Sequence, residues 1–178
     1  LLNHHAVALL REQPQILVHG PSAPFTHPDF QATMARYALS FGVRVAPMDV
    51  AATFGNSEAV NLALDALTQP GDVVAIESPA FYGILQAVEA KKLQTLEIPS
   101  SPHTGISLEA LELALRTHPQ LKAVVVVPHL QMPQGATMPD SHKQRLVALC
   151  RTHGVALIED DIYREFVETD EVLRPCKA

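Results

Sequence analysis

The sequence predicts an α/β fold: a mostly parallel sheet with helices on both faces, in three layers. Two observations carry this. From residue 55 onward, short apolar runs alternate with stretches whose apolar positions recur every three or four residues. The runs themselves, above all the four consecutive valines Val124 to Val127, lack the alternation of a half-exposed strand, so they belong in a sheet covered on both sides. Strands joined through helices in this way form right-handed βαβ units.

The elements follow in order. Residues 1–12 carry a short helical pattern (Ala6, Leu9, Leu10), followed by the apolar run Ile16 to His19 and a loop through Gly20, Pro21, Pro24 and Pro28. Residues 29–41 read as a helix stopped by Gly42, and Val50 to Thr53 as a weak strand. A helix opens at Gly55 or Asn56, with Val60, Ala63, Leu64 and Leu67 on one face, and closes at Pro70-Gly71. Strand 73–76, helix 81–90 and strand 93–98 come next. Ser107 is the N-cap of a helix with the stripe Leu108, Leu111, Leu115, and Glu109 sits near its positive end. Strand 123–127, helix 141–153 and strand 155–158 complete the alternation. Residues 1–47 are thus expected to lead into a main domain over 48–178.

Composition excludes several classes. Of 178 residues, 47% are hydrophobic and 18% charged, which argues against disorder and for a buried sheet. The net charge of -6 argues against this piece gripping a nucleic-acid backbone. No apolar stretch approaches the roughly 20 residues of a membrane span, and the start lacks a signal-peptide pattern. Two cysteines without a CxxC suit a reducing compartment, so a soluble cytoplasmic protein is expected. The nine histidines show no HExxH or Cys/His spacing, and no metal site is expected.

Four segments combine residues that carry chemistry. Thr53 to Ala59 is a Gly-containing turn feeding a helix, where Gly55, Asn56 and Ser57 present free N–H groups at the positive end of the dipole. Alone this is also the pattern of a plain N-cap, and it is neither GxGxxG nor a Walker loop. Glu77 to Gly83 puts Phe81 and Tyr82 directly after a strand end, where a ring can stack on a flat heterocycle or simply pack on a loop. Pro128 to Gly135 reads as a crossover loop. The last segment is Glu159-Asp160-Asp161-Ile162-Tyr163: carboxylates at the carboxyl end of a buried strand, where α/β sheets bind ligands and where a bare acid is costly. An acid there can hold a protonated ring nitrogen, and Tyr163 can donate to an oxygen. Capping a helix or binding water is the other reading.

Taken together, anion turn, aromatic, Pro-and-Gly loop and Asp-x-x-Tyr resemble the large domain of the fold-type-I pyridoxal-phosphate aminotransferases. The resemblance covers residues 14–178, includes Asn61 to Leu64 and Pro70 to Val74, and is nearest in look to the aminotransferase-like domain of MocR-type GntR regulators. It implies the cofactor pyridoxal 5′-phosphate. Its phosphate would be held by the amides of Gly55, Asn56 and Ser57, and its ring stacked on Phe81. Asp160 would meet the ring nitrogen and Tyr163 the 3′ oxygen. Two positions depart from the family. Met132 stands where an Asn donor is common, and His19 stands where a Tyr reaches the neighbouring subunit's phosphate.

The family attaches its cofactor through a Schiff-base lysine some tens of residues beyond the Asp-x-x-Tyr strand. Lys177 has no serine before it, and Lys91, Lys92, Lys122 and Lys143 fall on helices or strand starts away from the crevice. No catalytic lysine is therefore expected in this chain, which reads as a truncated large domain with weak cofactor affinity. The resemblance implies an effector domain of a transcription regulator that senses a small amine, an amino acid or the cofactor. It would be homodimeric, reach DNA only through a head domain, and have no membrane partner. A shortened free-standing aminotransferase acting on amino acids is the alternative, and a plain α/β binding module the third reading.

Overall fold

The structure, a computed structural model, describes residues 1–17 and 26–177. Expectations placed on Val18, His19, Gly20, Pro21 and Pro24 lie outside them. The chain forms two compact units, Leu1–Ser40 with Arg44–Ala52, and Phe41–Val43 with Thr53–Ala178.

The first unit holds helices α1 (Leu2–Glu12) and α2 (Pro28–Leu39) and two 3₁₀ turns, Pro14–Leu17 and Pro47–Asp49. Pro28 at the first helical position needs no N–H partner, and His27 caps α2 by accepting from the Asp29 amide. The expected strand at Val50 to Thr53 does not form. Side chains meet its backbone instead of a ladder: Val50 O accepts from Gln31 Nε2 at 2.8 Å, and the Ala52 amide donates to Thr26 Oγ1 at 2.8 Å.

The second unit is the three-layer α/β body. Its helices are α3 (Asn56–Leu67), α4 (Tyr82–Ala90), α5 (Leu108–Thr117) and α6 (Asp140–His153); its strands are β1 (Val73–Ser78), β2 (Gln94–Ser101), β3 (Gly105–Ile106), β4 (Leu121–Val126) and β5 (Ala156–Glu159). The sheet order is β3-β2-β1-β4-β5. The pairs β2–β1, β1–β4 and β4–β5 are parallel, and the two-residue β3 adds an antiparallel edge that the sequence did not announce.

The pleat assigns alternate residues to opposite layers. Val73, Ala75, Val124 and Val126 join Leu108, Leu111, Leu115 and Leu146 beneath α5 and α6. Val74, Ile76, Ala123 and Val125 join Val60, Leu64, Ile84 and Val88 beneath α3 and α4. Burying each of these valines, leucines and isoleucines contributes about 1.5–3 kcal/mol, so this double-sided core holds the strand ends in register. Ser107 caps α5 as expected, its Oγ accepting from the Ala110 amide, and Gly154 closes α6 in the left-handed conformation at φ +66°.

Candidate functional site

The carboxyl ends of β1 and β5 and the start of α3 meet around one cleft, lined by Asn56, Ser57, Val60, Phe81, Ile84 and Asp160 among others. It contains about 270 Å³ of atom-free space, its open mouth included. Four of the six expected site residues thus share one wall system. Gly55 sits just before it and Tyr163 to one side.

Gly55 caps α3 at φ +96°, a conformation a side chain would strain, and no side chain closes the helix start. The first-turn N–H groups of α3 therefore lie outside the helix ladder. Glu58 does not cover them, because its Oε2 accepts from the Phe54 amide. The Asn56 side chain reaches across the cleft, and Nδ2 donates to Asp160 Oδ2 at 2.8 Å.

Asp160 is buried at 8% exposure, and its other oxygen, Oδ1, meets no hydrogen-bond partner among the described residues. Burial raises its pKa, with the Asp161 charge adding to the rise and the Asn56 and Ile162 donors opposing it. A buried carboxylate with one oxygen unmet fits a cationic donor, and that is the observation on which a pyridinium nitrogen fits this site. Phe81 supplies the flat wall. Its ring lies so close over Gly83 that a Cβ built there would stand 2.5 Å from Cε1, which is why a glycine occupies the first turn of α4. Tyr82 packs on Phe81 with ring centroids 4.5 Å apart.

Tyr163 packs against the core beneath α3 and α4, and its hydroxyl donates to Met132 Sδ at 3.1 Å. Met132 therefore accepts where the resemblance led one to look for a donor.

Sequence reasoning missed a buried polar chain behind this wall. His129 is fully buried, with Nδ1 2.5 Å from Asp161 Oδ1 and Nε2 2.9 Å from Lys143 Nζ. Lys143 is itself buried at 3% exposure. The signal was legible: Lys143, Leu146 and Cys150 fall on one helical face of α6, so a lysine in phase with an apolar stripe must meet polar partners inside. Glu77 was also overlooked as an acid. Its Oε2 accepts from the Val127 amide at 2.8 Å while Oε1 lacks a partner among the described residues, and burial pushes its pKa to about 7. Among the described residues no group of three His, Cys, Asp or Glu side chains could hold a metal ion, and no helix is long and apolar enough to cross a membrane.

Known proteins match this chain over most of its length. It is 44% identical over 148 residues to the uncharacterized HTH-type transcriptional regulator YdcR of Escherichia coli K12, covering 83% of this chain and 31% of that protein. It is 42% identical over 132 residues to YjiR, an uncharacterized HTH-type transcriptional regulator of the same organism, covering 74% of this chain and 28% of that one. The chain thus spans about a third of the length of these relatives. The crystal structure of LysN, an α-aminoadipate aminotransferase from Thermus thermophilus complexed with N-(5′-phosphopyridoxyl)-L-leucine, superposes with a TM-score of 0.81 at 27% identity. That match covers 94% of this chain and 41% of LysN. The profile of the family "Aminotransferase class I and II" matches residues 11–175, and the chain belongs to that family, built on the pyridoxal-phosphate-dependent transferase fold.

Proposed function

We propose that this chain is the ligand-sensing, aminotransferase-like part of a GntR/MocR-type transcription regulator, binding a pyridine 5′-phosphate of the pyridoxal class in the cleft between α3 and β5. The observation that carries the reading is the unmet Oδ1 of Asp160, buried across the cleft from Phe81 and next to an uncapped helix start. The likeness to YdcR and YjiR supports the regulator over an enzyme, and DNA contact would belong to a separate head. A free-standing aminotransferase is the second reading, supported by 30% identity over 161 residues to the 2-aminoadipate transaminase of Thermus thermophilus.

In this reading the amides of Gly55, Asn56 and Ser57 bind the phosphate, with the α3 dipole adding attraction. Phe81 stacks on the ring, and Asp160 takes the proton-bearing ring nitrogen and keeps it cationic. Tyr163 orients the ring oxygen. When bound, the cofactor supplies an electron sink for amine chemistry. No lysine lines the cleft among the described residues. The bound partner is a small amine or amino acid, the assembly a homodimer, and the compartment the cytoplasm, where the free, buried Cys150 and Cys176 stay reduced.

The test is a titration of the chain with pyridoxamine 5′-phosphate, which needs no lysine, against inorganic phosphate. Saturable binding that weakens at least tenfold in Asp160→Asn supports the reading. No binding, or binding indifferent to Asp160, removes it.

A further inference from the structure

The ammonium of Lys143 has three N–H groups and meets three acceptors. They are His129 Nε2 at 2.9 Å, the Arg174 carbonyl at 2.6 Å and Asp140 Oδ1 at 3.3 Å. An ammonium only donates, so His129 Nε2 accepts and the ring proton sits on Nδ1. From there it points at Asp161 Oδ1, 2.5 Å away. The other oxygen of Asp161 lies 3.1 Å from Arg164 Nε, without the alignment of a hydrogen bond, so that pair is held by charge alone. The Arg164 guanidinium in turn covers the Phe41 ring, 3.6 Å above its centroid. Donors thus run in one direction, from Lys143 through His129 to Asp161.

This chain ends on the residue next to Asp160. The Asp160 amide is tied to the Val126 carbonyl at 2.9 Å. Asp161 is tied on the opposite side by the imidazole. A turn fixed from both sides cannot rotate the Asp160 side chain that it carries into the cleft. Without the ammonium, Nε2 would be a buried acceptor with no donor, and the imidazole would lose the contact that anchors it opposite Asp161.

We propose that Lys143, acting through His129, is a positioning residue: by donating to Nε2 it anchors the imidazole against Asp161 and holds the turn that aims Asp160 at the ligand. This rests on the reading of the cleft as a pyridine-phosphate site. Neither residue touches the cleft, and both act through Asp161.

The experiment uses the whole chain as wild type, Lys143→Met, His129→Gln, His129→Leu and Asp160→Asn. Histidine ¹⁵N–¹H spectra, exchange of the Asp160 amide, and affinities for pyridoxamine 5′-phosphate and inorganic phosphate are read for each. Wild type is expected to show His129 as one tautomer with the proton on Nδ1. In Lys143→Met the Asp161 carboxylate keeps the proton on Nδ1, the Nε2 resonance should lose the shift of a hydrogen-bonded acceptor, exchange of the Asp160 amide should quicken, and affinity for pyridoxamine 5′-phosphate should fall about tenfold, as when an outer partner orienting a ligand is lost. Affinity for inorganic phosphate should hold. His129→Gln, with an amide donor for Asp161 and an acceptor for Lys143, should stay close to wild type, whereas His129→Leu should behave like Lys143→Met.

Unchanged exchange of the Asp160 amide in Lys143→Met overturns the proposal. If Lys143→Met does not fold, equal exchange and equal affinity in His129→Gln and His129→Leu overturn it instead. If Asp160→Asn leaves the affinity untouched, the ligand reading of the cleft fails, and the exchange data still decide the positioning role.

Discussion

Asn56 Nδ2 and Asp160 Oδ2 stand 2.8 Å apart although 104 residues separate them in the chain. The hydrogen bond ties the first turn of α3, where an anion would bind, to the end of β5, where a cation would bind. The two halves of the cleft are therefore one mechanical piece. Asn56→Ala leaves a buried carboxylate without its protein donor, which costs about 1–3 kcal/mol. Urea unfolding should show that loss, and a change below about 0.5 kcal/mol would mean that the bond contributes nothing net.

Glu77 gives the fold a pH dependence of known sign. Its folded pKa, about 7, lies above the ordinary 4.5, so the folded state holds the proton more tightly. The stability this carboxyl permits is fully present below about pH 4.5 and is lost as pH rises through 7. Glu77→Gln, which keeps an acceptor for the Val127 amide, should match wild type near pH 4 and be more stable by about 3 kcal/mol above pH 8, from about 1.36 kcal/mol per unit. Denaturant melts at the two pH values check this; equal stabilities above pH 8 would contradict it.

Gly83→Ala separates wall geometry from stability. Alanine favours the helix by about 1 kcal/mol over glycine, and here its Cβ would drive the half-exposed Phe81 ring aside. The expected outcome is a melting temperature unchanged or slightly raised, with affinity for pyridoxamine 5′-phosphate several-fold weaker.

Met132→Asn restores a side-chain donor at the loop position facing Tyr163. The Tyr163 hydroxyl loses a sulfur acceptor and gains an amide neighbour, while two donors become available to a ring oxygen. Affinity for the same ligand should rise several-fold, and a fall would show that the sulfur contact is what seats Tyr163.

Ser107→Ala should cost about 1 kcal/mol by removing the cap on α5, with Ser107→Asp restoring it. Thermal unfolding reads both.

The sheet was legible because its strands announce themselves: four valines in a row leave little choice, and Gly154 at positive φ ended α6 where its pattern stopped. The antiparallel β3 was not legible, since two residues carry no period. Val50 to Thr53 misled because two of those positions are alanine, and side chains 19 and 26 residues upstream, Gln31 donating and Thr26 accepting, took over its backbone. Within the cleft, Asn56, Ser57, Phe81 and Asp160 could be found because each follows a strand end or opens a helix. His129 and Lys143 could not be paired from sequence, since their meeting depends on how α6 packs over the loop after β4.

The unmet Oδ1 of Asp160 bears on more than binding. A buried carboxylate oxygen with no partner among the described residues holds the fold below the stability that its packing alone permits. Whatever supplies the missing donor raises the melting point as well as filling the cleft, so the domain registers occupancy in its own folding equilibrium.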